Sequence, residues 1–458
     1  MNQTLDQAVY QKYIQPTERI PGDFVGVEFE FPLLNLEKKP VNLPEVQKVV
    51  RDFALKFRFS NQKSDDNQNL YSLTNPDNGD NLSFDCSYNT LELSFGKESN
   101  IHVLNQRFLT YFQDLQENLL KIRHQLTGMG INPYHDYEIF EPVANDRYRM
   151  LYHHLHSYQN YGDVFYHDFP QFSMIAAASQ VQLDVQKEQI LSWIHVYNLL
   201  EPYKAILFAN SYLDQLPERV ISRDYLWRYS SQGYNPHNLD MYETDFQNLD
   251  EYISYIRSQS IYCVQKGDKY LHFKPIPLEH YIHLDSVKGV YFSENQWKEF
   301  DFKPEISDIA DHRTFKFTDL TYRGTMEFRS ACEQPVSEIF AYAAFHAGLA
   351  RKTPELAEIL DSDSVLYQHG YTAPELRNLF TFRNFPDFAD QKRISLQLLK
   401  ILELARDGLS ERGYQEESFL EPLFRRAETL LSPAREMLAG LEKGDQIEFW
   451  IDQYSKTE

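Results

Sequence analysis

The sequence holds only three cysteines, Cys86, Cys263 and Cys332, in 458 residues, and no CxxC pair. They are too few and too scattered for a disulfide framework, and fit a reducing compartment. No apolar run approaches the roughly 18 residues of a membrane span. The leading MNQTLDQAVYQKYIQ lacks the positive segment and apolar core of a signal peptide. A soluble, cytoplasmic protein with no membrane partner is therefore expected. Positive charge is also scarce, with 45 Lys and Arg against 67 Asp and Glu and a net charge of −22. Such a surface repels phosphate backbones and argues against a nucleic-acid partner. A small anionic substrate would need a local reversal of charge, by metal ions or clustered arginines. There is no internal repeat, low-complexity linker, P-loop, HExxH or GxSxG motif. Gly128 and Gly130 lack the third glycine of a dinucleotide fingerprint and read as a turn.

Aromatics, by contrast, are abundant: 31 Tyr and 32 Phe imply a well-packed interior with aromatic-lined clefts. The run from Tyr148 to Phe172 reads as core and cleft lining; His153, His154, His156 and His167 lie in it at spacings that match no zinc pattern. Strand-like runs fall at Phe24–Phe31, Leu82–Phe95, Ser179–Val185 and Thr325–Arg329, with the polar stretch Asn61–Asn81 a surface loop or loose hairpin. Helical patterns occupy about 44–58, 102–127, 187–209 and 336–351. Ile394, Leu398, Ile401, Ala405 and Leu409 recur at helical spacing before a C-capping Gly413; further helices start near Glu417 and at Ser432-Pro433. The expectation is an α+β fold with a mainly antiparallel sheet in a single domain over 1–458, sheet-rich over about 20–335 and helical over about 336–458.

Side chains alternate between the two faces of a strand. In DFVGVEFEF, Val25, Val27, Phe29 and Phe31 share one face, and Gly26, Glu28 and Glu30 the other. The two carboxylates then stand about 7 Å apart, and Gly26 leaves room for a ligand. NTLELSF places Glu92 opposite Leu91 and Leu93; SQVQLDV places Gln180, Gln182 and Asp184 opposite Val181 and Leu183; GTMEFRS places Glu327 and Arg329 opposite Met326 and Phe328. A half-exposed sheet with its polar side in water accounts for any one of these strands. Across all of them the polar set is dominated by oxygen ligands with a single arginine, and converging carboxylates repel unless cations neutralise them. Oxygen ligands without a thiolate or histidine cluster select Mg²⁺ or Mn²⁺, which makes a metal–nucleotide platform the alternative reading.

These segments resemble the glutamate–cysteine ligases of the plant and proteobacterial type, within the glutamine-synthetase-like carboxylate–amine ligases. GVEFEF resembles the family's first Gly-x-Glu-x-Glu strand, FDCSYNTLELSFG its second acidic segment, SQVQLDV and LFANS its next strand and helix end. SRDYLW resembles an Arg-x-x-x-Trp stretch, TMEFRS the MEMR strand and ARDGLSERGYQEESFL a C-terminal helical segment, all in the family's order over about 20–440. The resemblance implies a glutamine-synthetase-like half-barrel of antiparallel strands that binds ATP and metal on its inner face. It implies Glu28, Glu30, Asp85, Glu92, Gln180 and Glu327 as ligands of Mg²⁺ or Mn²⁺, and Arg329, Gln182 and Trp227 as nucleotide contacts. Glu327, Arg329 and Arg223 would carry catalysis, Arg329 on the transferring phosphoryl group and Arg223 on a substrate carboxylate or phosphate. The implied reaction joins the γ-carboxylate of glutamate to the amine of cysteine through an acyl phosphate, the first step of glutathione synthesis. SACEQP (Ser330–Pro335) replaces the family's glycine-rich stretch. That keeps open a ligase of the same chemistry for another amine or amino acid; an inactive relative that only binds is a separate alternative, against which the retained Glu28, Glu30, Glu92, Glu327 and Arg329 count.

Overall fold

The computed structural model describes residues 4–162 and 164–458, and no helix among them is long and apolar enough to cross a membrane. Strand β1 (Val25–Asn35) is followed by β2 (Asn61–Ser64), β3 (Leu70–Thr74), β4 (Asn81–Phe84), β5 (Thr90–Glu98), β6 (His124–Leu126) and β7 (Ala178–Asp184). Then come β8 (Leu239–Asp240), β9 (Ser260–Lys266), β10 (Lys269–Pro277), β11 (Val287–Ser293), β12 (Gln296–Phe302), β13 (Phe315–Lys316), β14 (Thr318–Leu320) and β15 (Thr325–Cys332). The main sheet has the order β14-β15-β7-β1-β5-β4-β3-β2, with β6 continuing the far end of β1. Its pairings are all antiparallel. A second antiparallel sheet has the order β12-β11-β10-β9.

One face of the main sheet is the core. Along β1, Val25, Val27, Phe29 and Phe31 are buried while Gly26, Glu28 and Glu30 are only partly so. The helix Ile101–Lys121, capped by the Asn100 side chain, buries Leu104, Phe108, Phe112 and Leu115 at helical spacing. Phe108 meets Phe29 edge-on at 5.6 Å, and Tyr197 from the helix Ile190–Phe208 lies 4.5 Å from Phe328 of β15. The helix Ala341–Arg351 adds His346, stacked on Phe328 at 4.2 Å. It crosses the helix Gln391–Arg412 so closely that a Cβ on Gly348 would stand 2.1 Å from the Ala405 carbonyl oxygen. The helices thus screen the apolar face and leave the polar one partly accessible.

The expected strand Leu82–Phe95 is two strands. Asp85–Asn89 turns the chain between β4 and β5, with Cys86 in the left-handed region at φ 61°, so Asp85 lies in a turn rather than on a strand. The stretch Asn61–Asn81 carries β2 and β3, which pair with each other and extend the main sheet. Strands β9 to β12 were not expected. Their segments mix charged and aromatic side chains, and β12 has a single buried residue, Phe302. The helix Gln391–Arg412 ends on Gly413 at φ 76°, and Pro433 opens the helix that runs to Lys443. Among the described residues no strand follows Cys332.

Candidate active site

Antiparallel register assembles the polar face from separate stretches of sequence. Glu30 lies opposite Glu92 on β5, and Glu28 opposite Gln180 on β7. Gln182 lies opposite both Gly26 on β1 and Glu327 on β15, and Glu327 opposite Asp319 on β14. At Gly26 a Cβ would meet Gln182 at an ordinary 3.5 Å, so the glycine opens the face without being forced by crowding.

One glutamine bridges two of the acids and another holds a third. The Gln182 Nε2 donates to Glu28 Oε1 at 2.9 Å and to Glu327 Oε1 at 2.7 Å; Gln180 Nε2 donates to Glu30 Oε1 at 3.0 Å. The other oxygen of Glu327 accepts from Arg329 Nη1 at 2.5 Å, and that of Glu30 from the Ala178 amide at 2.8 Å. Burial, with Glu327 next and Asp85 also contributing, pushes Glu28 up to about 7, although Arg329 and Arg323 oppose the rise. Burial and then Asp85 push Glu30 to about 7 against the pull of Arg223. Glu92 is driven well above the carboxylate range by burial and by Glu28, Asp85 and Glu30. Asp85 is itself raised, chiefly by burial. These acids therefore feel one another across the face, the turn residue Asp85 included.

The remaining expected residues occupy two other places. Arg223, 8% exposed, stands behind Arg329 and donates from Nη1 to its carbonyl oxygen at 3.1 Å. Trp227 stacks on Phe315 at 5.3 Å, and the Arg329 guanidinium lies 5.8 Å from the same Phe315 ring. An aromatic shelf thus leads from the indole to the arginine.

Sequence reasoning missed three residues here. Asp319, raised to about 6 chiefly by burial, sits on a three-residue strand too short to show a period. Arg323, in the turn before β15, donates from Nε to Gln182 Oε1 at 3.1 Å. Glu333, wholly buried, accepts from the Glu30 amide at 3.1 Å and the Ser179 hydroxyl at 3.2 Å, and burial drives its carboxyl well up. It follows the point where β15 changes register, which alternation cannot cross. Elsewhere, His272 of β10 brings its Nε2 to 2.6 Å from His153 Nδ1, a contact that local spacing could not reveal.

Among the described residues no three His, Cys, Asp or Glu side chains close into a ready-made metal cage. Mg²⁺ seldom uses one; it keeps waters and takes one or two carboxylates together with substrate phosphates. The donor set fits that habit. Glu28, Glu30, Glu92, Glu327 and Asp85 put a surplus of oxygen charge against Arg329 and Arg323, and Gln180 Oε1 is buried without a hydrogen-bond partner on the same face.

No family model matches the chain. It is 24% identical over 270 residues to the chloroplastic glutamate–cysteine ligase of Medicago truncatula, a match covering 57% of this chain and 49% of that protein. The corresponding enzyme of Arabidopsis thaliana is 25% identical over 270 residues, covering 57% of this chain and 48% of that one. The chain spans about half the length of the curated relatives it matches. Its fold is similar to the solved structure of the glutamate–cysteine ligase of Francisella tularensis in complex with AMP, with a TM-score of 0.50 at 10% identity, over 96% of this chain and 88% of that one. In sequence over 57% of its length, and in fold over 96% of it, this chain is similar to glutamate–cysteine ligases.

Proposed function

We propose that this chain is an ATP- and Mg²⁺-dependent ligase that joins the γ-carboxylate of glutamate to the amine of cysteine through γ-glutamyl phosphate. The observation that carries the reading is the in-register polar face, which brings Glu28, Glu30, Glu92 and Glu327 together with Arg329 and, from the turn before β15, Arg323. Those four acids, with Asp85 and Gln180, would hold Mg²⁺ or Mn²⁺, whose charge would neutralise phosphate oxygens. Arg329 would meet the phosphoryl group as it transfers, with Gln182 and Trp227 beside the nucleotide. Phosphoryl transfer leaves little covalent work to the protein, so orientation and fixed charge supply most of the acceleration. Glu327 orients Arg329 through its 2.5 Å contact, and Arg223 fixes that residue's backbone.

Cysteine as acceptor rests on the similarity to the plant and Francisella enzymes. Ser330–Pro335, where the chain departs from the family pattern, is buried throughout. A different acceptor amine is the competing reading. Phosphate release from ATP with Mg²⁺, glutamate and a panel of amines separates them. Turnover with cysteine supports the first, turnover only with another amine the second, and none with any amine removes both.

The raised carboxylates also predict a pH signature. With Glu28 and Glu30 raised from 4.5 to about 7, the metal-free folded protein binds more protons than the unfolded chain between those values. Stability held at low pH is then lost as pH rises through about 7. Saturating Mg²⁺ should raise Tm more at pH 8, where the acids are ionised, than at pH 6. Thermal melts at both pH values check this, and a pH-independent increment would take these acids out of the metal site.

A further inference from the structure

Strand β15 leaves its ladder with β7 between Phe328, paired with Val181, and Ala331, paired with Ser179. Arg329 and Ser330 together therefore oppose the single Gln180, which is a bulge. A bulge frees backbone groups from the ladder, and buried ones need other partners. The Arg329 amide donates to the Phe317 carbonyl oxygen at 2.9 Å. Its own carbonyl accepts from Arg223, and the Ser330 carbonyl accepts from Arg377 Nη2 at 3.0 Å.

Arg377 is the hub beneath this bulge. It is 1% exposed, and comes from the helix Ala373–Phe380, far along the chain from the platform. Its Nε and Nη2 grip the Asp224 carboxylate at 2.8 and 3.2 Å, and its Nη1 reaches Glu201 Oε2 at 2.7 Å. Lys204 Nζ donates to the other Glu201 oxygen at 2.7 Å, so two cations balance two anions. The guanidinium also covers the ring of Phe317 at 4.4 Å, the residue whose carbonyl receives the Arg329 amide. Asp224 adjoins Arg223 on the helix Ser222–Arg228. One side chain thus touches each support of Arg329: the bulge carbonyl, Phe317 and the helix bearing Arg223. A sequestered, charge-balanced group adds little net stability over apolar side chains of the same volume, so stability alone does not account for this one.

We propose that Arg377 is a positioning residue that sets the β15 bulge and so aims Arg329 across the carboxylate face. Its kinetic consequence rests on the ligase reading above. Arg377→Lys keeps the charge but not the planar fork that serves Asp224 and Ser330 at once. In the full chain it should lower kcat about 100-fold, the scale of a misplacement near 1 Å, with KM for ATP changed less than about threefold. In an Arg329→Ala background the same substitution should cost less than about threefold, because the group it aims is gone. Hydrogen exchange of a peptide spanning Thr325–Cys332 should be faster in Arg377→Lys, a readout independent of activity. A kcat within about twofold of the parent, or a full 100-fold loss repeated without Arg329, overturns the proposal. Should the parent turn over no amine, the ligase reading fails and exchange decides alone: unchanged exchange overturns the positioning role. If Arg377→Lys does not fold, Asp224→Asn carries the same cycle, since it loosens the fork from the other side.

Discussion

Glu327→Gln is expected to lower glutamate-dependent phosphate release by about 100- to 1,000-fold while the chain stays folded. The amide is isosteric; with its oxygen kept on Arg329, its NH2 turns toward Gln182, whose Nε2 retains its bond to Glu28, so the cost to the fold is local. What disappears is a negative charge at the centre of the face, opposite Gln182 and Asp319. Mg²⁺ affinity should weaken accordingly. Glu327 ranks directly after burial among the causes that raise Glu28. Its loss should therefore bring Glu28 back toward the ordinary carboxylate range, and the pH dependence of Mg²⁺ stabilisation should shift to lower pH. Steady-state phosphate release and melts with and without Mg²⁺ read these effects separately. Near-normal turnover would take Glu327 out of the chemistry, whatever the melts showed.

The residues of this face were legible for a simple reason. Alternation with period 2 is the strongest local signal a strand gives, and Glu28, Glu30, Glu92 and Glu327 each sit between apolar neighbours on strands of seven residues or more. The alternation also placed Gln180 and Gln182 on the face, though the bond of Gln180 to Glu30 and the bridge of Gln182 between Glu28 and Glu327 became visible only with register. Where the period breaks, alternation ceases to help. Asp85, named only through the family resemblance, lies in a turn closed around a left-handed Cys86, and Asp319 on three residues of strand. Glu333 lies past a bulge that resets parity, so its position behind Glu30 could not be counted out from Glu327. Arg377 is less accessible still, because its partners Glu201 and Asp224 stand 176 and 153 positions away in the chain. The second sheet escaped for a different reason: β11 and β12 bury little, so their amphipathic contrast is weak.

Arg329 gives the complementary prediction. Arg329→Met should reduce kcat about 1,000-fold or more, in the range found when a cation is removed from a transferring phosphoryl group. Arg329→Lys should recover only part of that loss, because a point charge cannot reproduce the planar fork that Glu327 holds and that phosphoryl oxygens would share. Its effect on the metal should run opposite to that of Glu327→Gln. Arg329 lowers Glu28, Glu30, Asp85 and Asp319, so removing it raises their demand for a cation and pushes them further above the carboxylate range. At a pH well above these raised values, with the acids ionised, Mg²⁺ should bind Arg329→Met at least as tightly as the parent; at pH 6 it should bind less well. Turnover is thus expected to collapse in both variants while Mg²⁺ affinity at high pH moves in opposite directions. Titration of Mg²⁺ by calorimetry, repeated at rising pH until the affinity of each variant levels off, makes the distinction. Weaker binding in both variants would mean that Arg329 and Glu327 act only as a structural pair, and that the charge on this face is not what recruits the metal.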